Sequence, residues 1–289
     1  MNRSIFATIL LSILLLIACD EPTQQPLKLP HRQGWSRELP ALNGDIESVV
    51  VTQYFTKRKG KEFVKASIES KESYTFNQRG DVIEKIELDS KGSLWAKCSY
   101  TYEADGRMTE KVWHKSDGSL DWRALYKHDE KGFITEETCY NADATKRSIS
   151  LYKYDDKGNK TEEASYDGIG VLQWVVFCRY NENGDLVEDA GYYSSGLLDY
   201  KSINEYDAQG KLIKSTEYDI ENRPMKSIAY AYNTKGELAE EKIFDEKNQL
   251  ISTWLYTYDT QGNVVKIAPT STTTEPYGII TEFEILYRK

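Results

Sequence analysis

The sequence predicts an all-β fold: a single curled antiparallel β-meander sheet built from eight 26-residue repeats of two strands each, with capping strands at both ends. Three observations predict it. Glycines recur at Gly80, Gly106, Gly132, Gly158, Gly184, Gly210, Gly236 and Gly262, a period of 26 residues without a slip. A second turn falls inside the period at Gly92, Gly118, Gly170 and Gly196, with Ala144, Asn222 and Asn248 in the same place in other copies. Both connections are short, so successive strands must be antiparallel neighbours.

The unit divides cleanly. In the copy that begins at Asp155, a turn ends at Gly158, a strand runs from Asn159 to Tyr166, a second turn spans Asp167 to Gly170, and a longer strand runs from Val171 to Tyr180. Asp or Asn at the first turn position and Gly at the fourth suit a type I turn closed by a left-handed bulge residue. That turn sets a register: Asp155 opposite Asn159, Lys115 opposite Ser119, and hence Leu120 beside His114, Leu172 beside Tyr166 and Leu212 beside Tyr206 on one face. Carried along the strands, it puts Ser150, Ala164, Ala190, Trp122 and Trp174 on the tyrosine face and Leu125, Leu151, Phe177, Ile203 and Leu255 on the other.

The same register sets Glu84, Glu110, Glu136, Glu162, Glu188 and Glu240 opposite Tyr74, Tyr100, Tyr126, Tyr152, Cys178 and Tyr230. One reading is a structural ladder in which each phenol meets a half-buried carboxylate. The other is a binding surface on which the rings stack on sugars and the carboxylates accept their hydroxyls.

The ends break the period. Residues 45–75 read as an irregular capping hairpin, and Ile279 to Tyr287 as a final strand that covers the last edge. About sixteen strands at roughly 4.8 Å each are too many for a flat sheet, and twist should coil them into an open or partly closed surface. The chain thus divides into a signal peptide (1–18), a flexible tether rich in proline (19–44), the capping hairpin (45–75), the repeat sheet (76–267) and a C-terminal loop and strand (268–289).

The signal segment carries an address. Arg3 precedes the apolar run Ile5 to Ile17, which ends in Leu16, Ile17, Ala18 and Cys19. This resembles the lipobox of bacterial lipoproteins, and the resemblance implies acylation of Cys19 and a membrane partner reached through the N-terminal lipid. Asp20 follows directly; by the same resemblance it retains some lipoproteins in the inner membrane, while an acidic stretch accompanies outer-membrane display in others. The expectation is a lipid-anchored protein of the cell envelope, with the outer membrane favoured.

The motif Y-x-Y-D-x-x-G-N, seen at Tyr154, Asp155 and Gly158 and again at Tyr258, Asp259 and Gly262, resembles the YD repeats of the bacterial RHS family over residues 76–267. In large members of that family such repeats form a continuous sheet that spirals into a shell around a toxic C-terminal domain. With only eight copies, encapsulation of a toxin is not expected here, and the resemblance implies a small lipoprotein that carries YD-like repeats.

Chemistry is nearly absent from the sequence. The net charge of −9 disfavours nucleic acid as a partner. No metal, phosphate-loop or nucleophile-elbow motif occurs, and His114 and His128 fall at opposite strand ends, too far apart to share an ion. Cys98, Cys139 and Cys178 lie on separate strands at separate offsets, which predicts three thiols without a disulfide. The expectation is a protein that is not an enzyme and has no cofactor and no metal. It would be a binding scaffold for a glycan or an envelope protein, with an immunity or assembly partner of a toxin system as the alternative. The oligomeric state stays open.

Overall fold

The computed structural model describes residues 39–60, 62–272 and 278–289. Cys19, the signal segment and most of the expected tether lie outside the described residues. All described regular elements are strands. β1 (Ile46–Lys59) and β2 (Glu62–Phe76) form the long first hairpin. The repeat strands are β3 (Val82–Leu88), β4 (Leu94–Tyr102), β5 (Met108–Lys115), β6 (Leu120–His128), β7 (Ile134–Asn141), β8 (Lys146–Tyr154), β9 (Lys160–Asp167) and β10 (Leu172–Tyr180). They continue as β11 (Leu186–Tyr193), β12 (Leu198–Tyr206), β13 (Leu212–Tyr218), β14 (Pro224–Tyr232), β15 (Leu238–Phe244), β16 (Leu250–Tyr258) and β17 (Val264–Thr272), and β18 (Ile279–Tyr287) ends the chain.

The turns follow the sequence reading. At the Asp155 turn the Asp155 N–H donates to the Asn159 carbonyl at 2.9 Å and the Gly158 N–H to the Asp155 carbonyl at 3.1 Å. The Asp155 carboxylate accepts from the Lys157 and Asn159 amides at 2.9 and 2.8 Å. The fourth position is left-handed throughout, with φ +86° at Gly158, and Ala144, Asn222 and Asn248 adopt it as well at 65°, 59° and 59°.

The sheet closes. β1 pairs with β2 on one side and with β18 on the other, from Ile46 opposite Tyr287 to Phe55 opposite Ile279. Each later strand pairs with its sequence neighbour, so the eighteen strands form one antiparallel barrel. This corrects the expected open or partly closed sheet. The two capping strands do not each blunt a separate edge; they pair with one another and remove both edges.

A clasp locks the seam. The Asn43 amide donates to Asn263 Oδ1 at 2.6 Å, and Asn263 Nδ2 returns a bond to the Asn43 carbonyl at 2.9 Å. The Tyr287 hydroxyl donates to Asp259 at 2.6 Å, and the Arg288 guanidinium pairs with Asp45 while it donates to the Phe76 and Asn77 carbonyls. Leu39 and Leu42 pack against the core. The last residues of the expected tether are therefore docked on the barrel.

The register departs from expectation one residue beyond each turn. The pairs next to the turns are those expected: His114 with Leu120, Tyr166 with Leu172, Tyr206 with Leu212. Thr161 is then skipped, so Lys153 pairs with Glu162 and Tyr152 with Glu163. The same second bulge recurs at every turn of the repeat body, for example at Trp95, Asp121 and Gln173 on the other side of the unit. Because side chains alternate with period two, one extra residue exchanges the faces of everything beyond it.

Candidate functional site

The second bulge separates the two predicted columns. Tyr74, Tyr100, Tyr126, Tyr152 and Tyr230 point inward, opposite Lys85, Lys111, Glu137, Glu163 and Glu241. Glu84, Glu110, Glu136, Glu162, Glu188 and Glu240 point outward. The predicted tyrosine–glutamate ladder is therefore corrected: those glutamates pair with Thr75, Thr101, Lys127, Lys153, Arg179 and Ala231. Ala164 and Ala190, expected among the tyrosines, likewise lie on the outer face, opposite Leu151 and Phe177.

The inner face is filled by its own side chains. Met108, Cys98, Ala124, Ser150 and Ile228 are buried there. Charges inside are matched locally. Lys85 reaches Glu87 at 2.6 Å and Glu72 at 3.3 Å and lies over the Tyr74 and Trp113 rings. Lys111 sits 5.3 Å to 5.8 Å from the rings of Tyr100, Trp113 and Trp122, a cation–π cage. Glu137 accepts from Tyr152 at 3.1 Å and from the Cys139 thiol at 3.2 Å, and Lys160 holds Glu163 at 2.6 Å. Burial pushes the phenols of Tyr74, Tyr126 and Tyr152 well above their ordinary range.

Two inner carboxyls are less well served. Burial raises Glu241 to about 7 and Asp189 to about 6, and one oxygen of each lacks a hydrogen-bond donor. Tyr256 approaches Glu241 without completing a normal hydrogen bond. The Tyr200 ring covers Gly191 beside Asp189; a Cβ at position 191 would overlap that ring. Among the described residues no group of three His, Cys, Asp or Glu side chains is placed to hold a metal ion, and Cys98, Cys139 and Cys178 carry no disulfide.

The tyrosine that precedes the aspartate in the motif has a separate task. Tyr102, Tyr154, Tyr180, Tyr206, Tyr232 and Tyr258 each donate a hydroxyl hydrogen bond of 2.7–2.9 Å to the carbonyl twenty residues earlier, from Val82 to Leu238. Each bond closes the end of a strand pair whose ladder has already stopped, as β9–β10 stops at Glu162 and Phe177.

The outer face is charged and apolar by turns. Lys97–Glu84, Lys127–Glu136, Lys153–Glu162 and Arg179–Glu188 pair across it at 2.6–2.9 Å. On the other flank of the glutamates stand Leu125, Leu151, Phe177, Ile203 and Leu255, in the expected apolar column. A lipid-facing barrel needs an unbroken apolar band about 25 Å tall. This wall sets ion pairs beside its apolar column instead.

The two rims differ. Turns at the first rim, such as Asp155–Gly158 and Asn181–Gly184, carry polar side chains. At the second rim three consecutive hairpins, β9–β10, β11–β12 and β13–β14, raise apolar side chains into solvent: Ile169 is 88% exposed, Leu197 68% and Ile220 67%, with Val171 and Met225 beside them. Sequence reasoning missed this arc. Its signal was apolar residues standing in turn positions that other copies fill with Ser, Lys or Asp.

No known sequence family matches the chain, and no characterised relative matches it. Among solved structures, the Photorhabdus luminescens Tc holotoxin pore is similar over 75% of this chain, at 15% identity and a TM-score of 0.38. This chain spans only 12% of the length of that one. A porin-like protein of Bacteroides uniformis aligns over 83% of this chain and 98% of its own, at 8% identity and a TM-score of 0.47. A porin-like protein of Bacteroides vulgatus aligns over 85% and 99%, at 11% identity and a TM-score of 0.31.

Proposed function

We propose that this chain is a lipid-anchored protein of the bacterial cell envelope whose closed repeat barrel is a non-catalytic scaffold for a protein partner. The observation that carries the reading is the apolar arc of Ile169, Leu197 and Ile220 on one rim. Large apolar side chains exposed on three neighbouring hairpins of one rim support an interaction site there. The glycan alternative loses its surface, because the tyrosines that would stack on sugars face inward and are packed against Lys85, Lys111, Glu137 and Glu163.

The anchor is tested by labelling cells with a fatty-acid analogue: label that depends on Cys19 supports it, and label that survives Cys19→Ser contradicts it. The scaffold is tested by cross-linking the full chain in intact cells. The reading expects one protein adduct that disappears in a Leu197→Asp, Ile220→Asp double variant of unchanged thermal stability. An adduct that persists in that variant would overturn the site, and a toxin domain in the adduct would assign the chain to an immunity or assembly role.

A further inference from the structure

The first hairpin outruns the barrel that it closes. β18 stops pairing with β1 at Phe55, and β3 pairs with β2 only from Lys71 onward. Beyond those points Thr56–Lys59 pairs with Glu62–Lys65 alone, apart from the bonds that Thr56 makes to Gly278. Register shifts at Gln53/Tyr54 and Phe55/Thr56 bend this extension. Lys65 meets Glu282 on the outer face, and Thr52 and Ile280 on that face are buried. The tip stands at the second rim, away from the clasp at Asn43.

Its charge is opposite to that of the molecule. Residues 57–65 hold five bases, Lys57, Arg58, Lys59, Lys61 and Lys65, against one acid, Glu62, so a chain of net charge −9 carries +4 in nine consecutive residues and −13 elsewhere. Lys57, Arg58 and Lys59 are exposed, and among the described residues Lys57 and Lys59 make no ion pair. Apolar groups adjoin them: Arg58 lies 5.0 Å over the Phe63 ring, and Phe55 and Ile68 are exposed at the base of the extension.

We propose that this hairpin docks on an anionic phospholipid surface. Cations beside apolar side chains fit a bilayer interface, where the rings and aliphatic groups enter the headgroup layer while Lys and Arg reach its phosphates. A nucleic acid or an acidic protein would satisfy the charges but leave Phe55 and Ile68 in water. Reach is no obstacle. Nineteen residues separate Cys19 from Leu39, and they span up to about 63 Å at roughly 3.3 Å each, whereas a nine-residue strand is about 30 Å long. The inference stands without the lipid anchor, because charge and apolar groups are both supplied by the hairpin.

The test compares binding of the full chain to phosphatidylcholine vesicles and to vesicles that also contain phosphatidylglycerol, at low and high salt. The signal segment has a single base, Arg3, and contributes equally for every variant. The expected result is a salt-sensitive preference for the anionic vesicles that falls about 100-fold in Lys57→Gln, Arg58→Gln, Lys59→Gln, at roughly 1 kcal/mol per base. The variant should melt at the wild-type temperature, since its residues lie beyond the closed ladder. Equal binding to both vesicles, or an anionic preference retained in the triple variant, would overturn the proposal. Binding to poly-glutamate or to DNA without binding to anionic vesicles would overturn it in favour of a macromolecular polyanion.

Discussion

The Tyr180 hydroxyl donates to the Lys160 carbonyl at 2.9 Å, across the splayed end of β9 and β10. It bonds there because the ladder between those strands ends at Phe177, leaving the first-rim end of β9 without a backbone partner from β10. The repeat spends its most regular side chain on that gap. Removing the hydroxyl in Tyr180→Phe should cost about 1 kcal/mol, measured by denaturant unfolding. His128 occupies the equivalent place in the repeat on β6, twenty residues after Met108. His128→Tyr should therefore restore the missing bond and stabilise by a similar amount; a destabilised variant would show that this copy closes its end differently.

Glu162 and Glu163 are adjacent in sequence and opposite in environment. Glu162 pairs with the exposed Lys153 at 2.8 Å, and Glu163 is 3% exposed with Lys160 at 2.6 Å. Glu162→Ala should cost less than about 1 kcal/mol, and Glu163→Ala about 3 kcal/mol. The reverse order would restore the register without the second bulge.

Glu241 gives the barrel a pH dependence of stated sign. Burial raises its folded pKa from 4.5 to about 7, so between those values the folded state holds a proton that the unfolded chain has released. Stability from this group is therefore full below pH 4.5 and is lost as pH rises through 7, by roughly 3 kcal/mol at about 1.4 kcal/mol per unit. Asp189, raised to about 6, acts in the same direction at lower pH. Thermal melts between pH 5 and pH 8 should show the loss, and Glu241→Gln should flatten it and raise stability at pH 8. A melt that rises with pH over this range, or a Glu241→Gln profile like that of the wild type, would contradict the assignment.

Turn chemistry was legible because it is local. An Asp that caps two amides and a left-handed fourth residue are fixed within five positions, and the pairs next to each turn, Leu172 with Tyr166 among them, are as expected. The second bulge was not legible, since it carries no residue signature: Trp95, Asp121, Arg147, Gln173, Asp199, Met225 and Ile251 all occupy it on one side of the unit. The Thr hydroxyls at three bulges on the other side, Thr109, Thr135 and Thr161, bond to carbonyls eight residues back, but that bond follows from the bulge. A one-residue error then exchanged Glu162 for Glu163 as the partner of Tyr152. Closure was hidden for a different reason. It depends on β1 meeting β18 across almost the whole chain, and no local pattern in either strand names the other.

That closure is the claim on which the inside and outside of the molecule depend. Val50 on β1 lies opposite Glu284 on β18, and Glu284 is exposed. The most direct measurement is disulfide formation in a Val50→Cys, Glu284→Cys chain under mild oxidation, read by peptide mass analysis, since directly opposed residues lie within disulfide reach at about 4.5–5.5 Å between Cα atoms. A closed barrel predicts near-complete bridging of these two positions with an unchanged or raised melting temperature. Two thiols that stay reduced in the folded protein, or that bridge only between molecules, would show that the sheet is open at this seam.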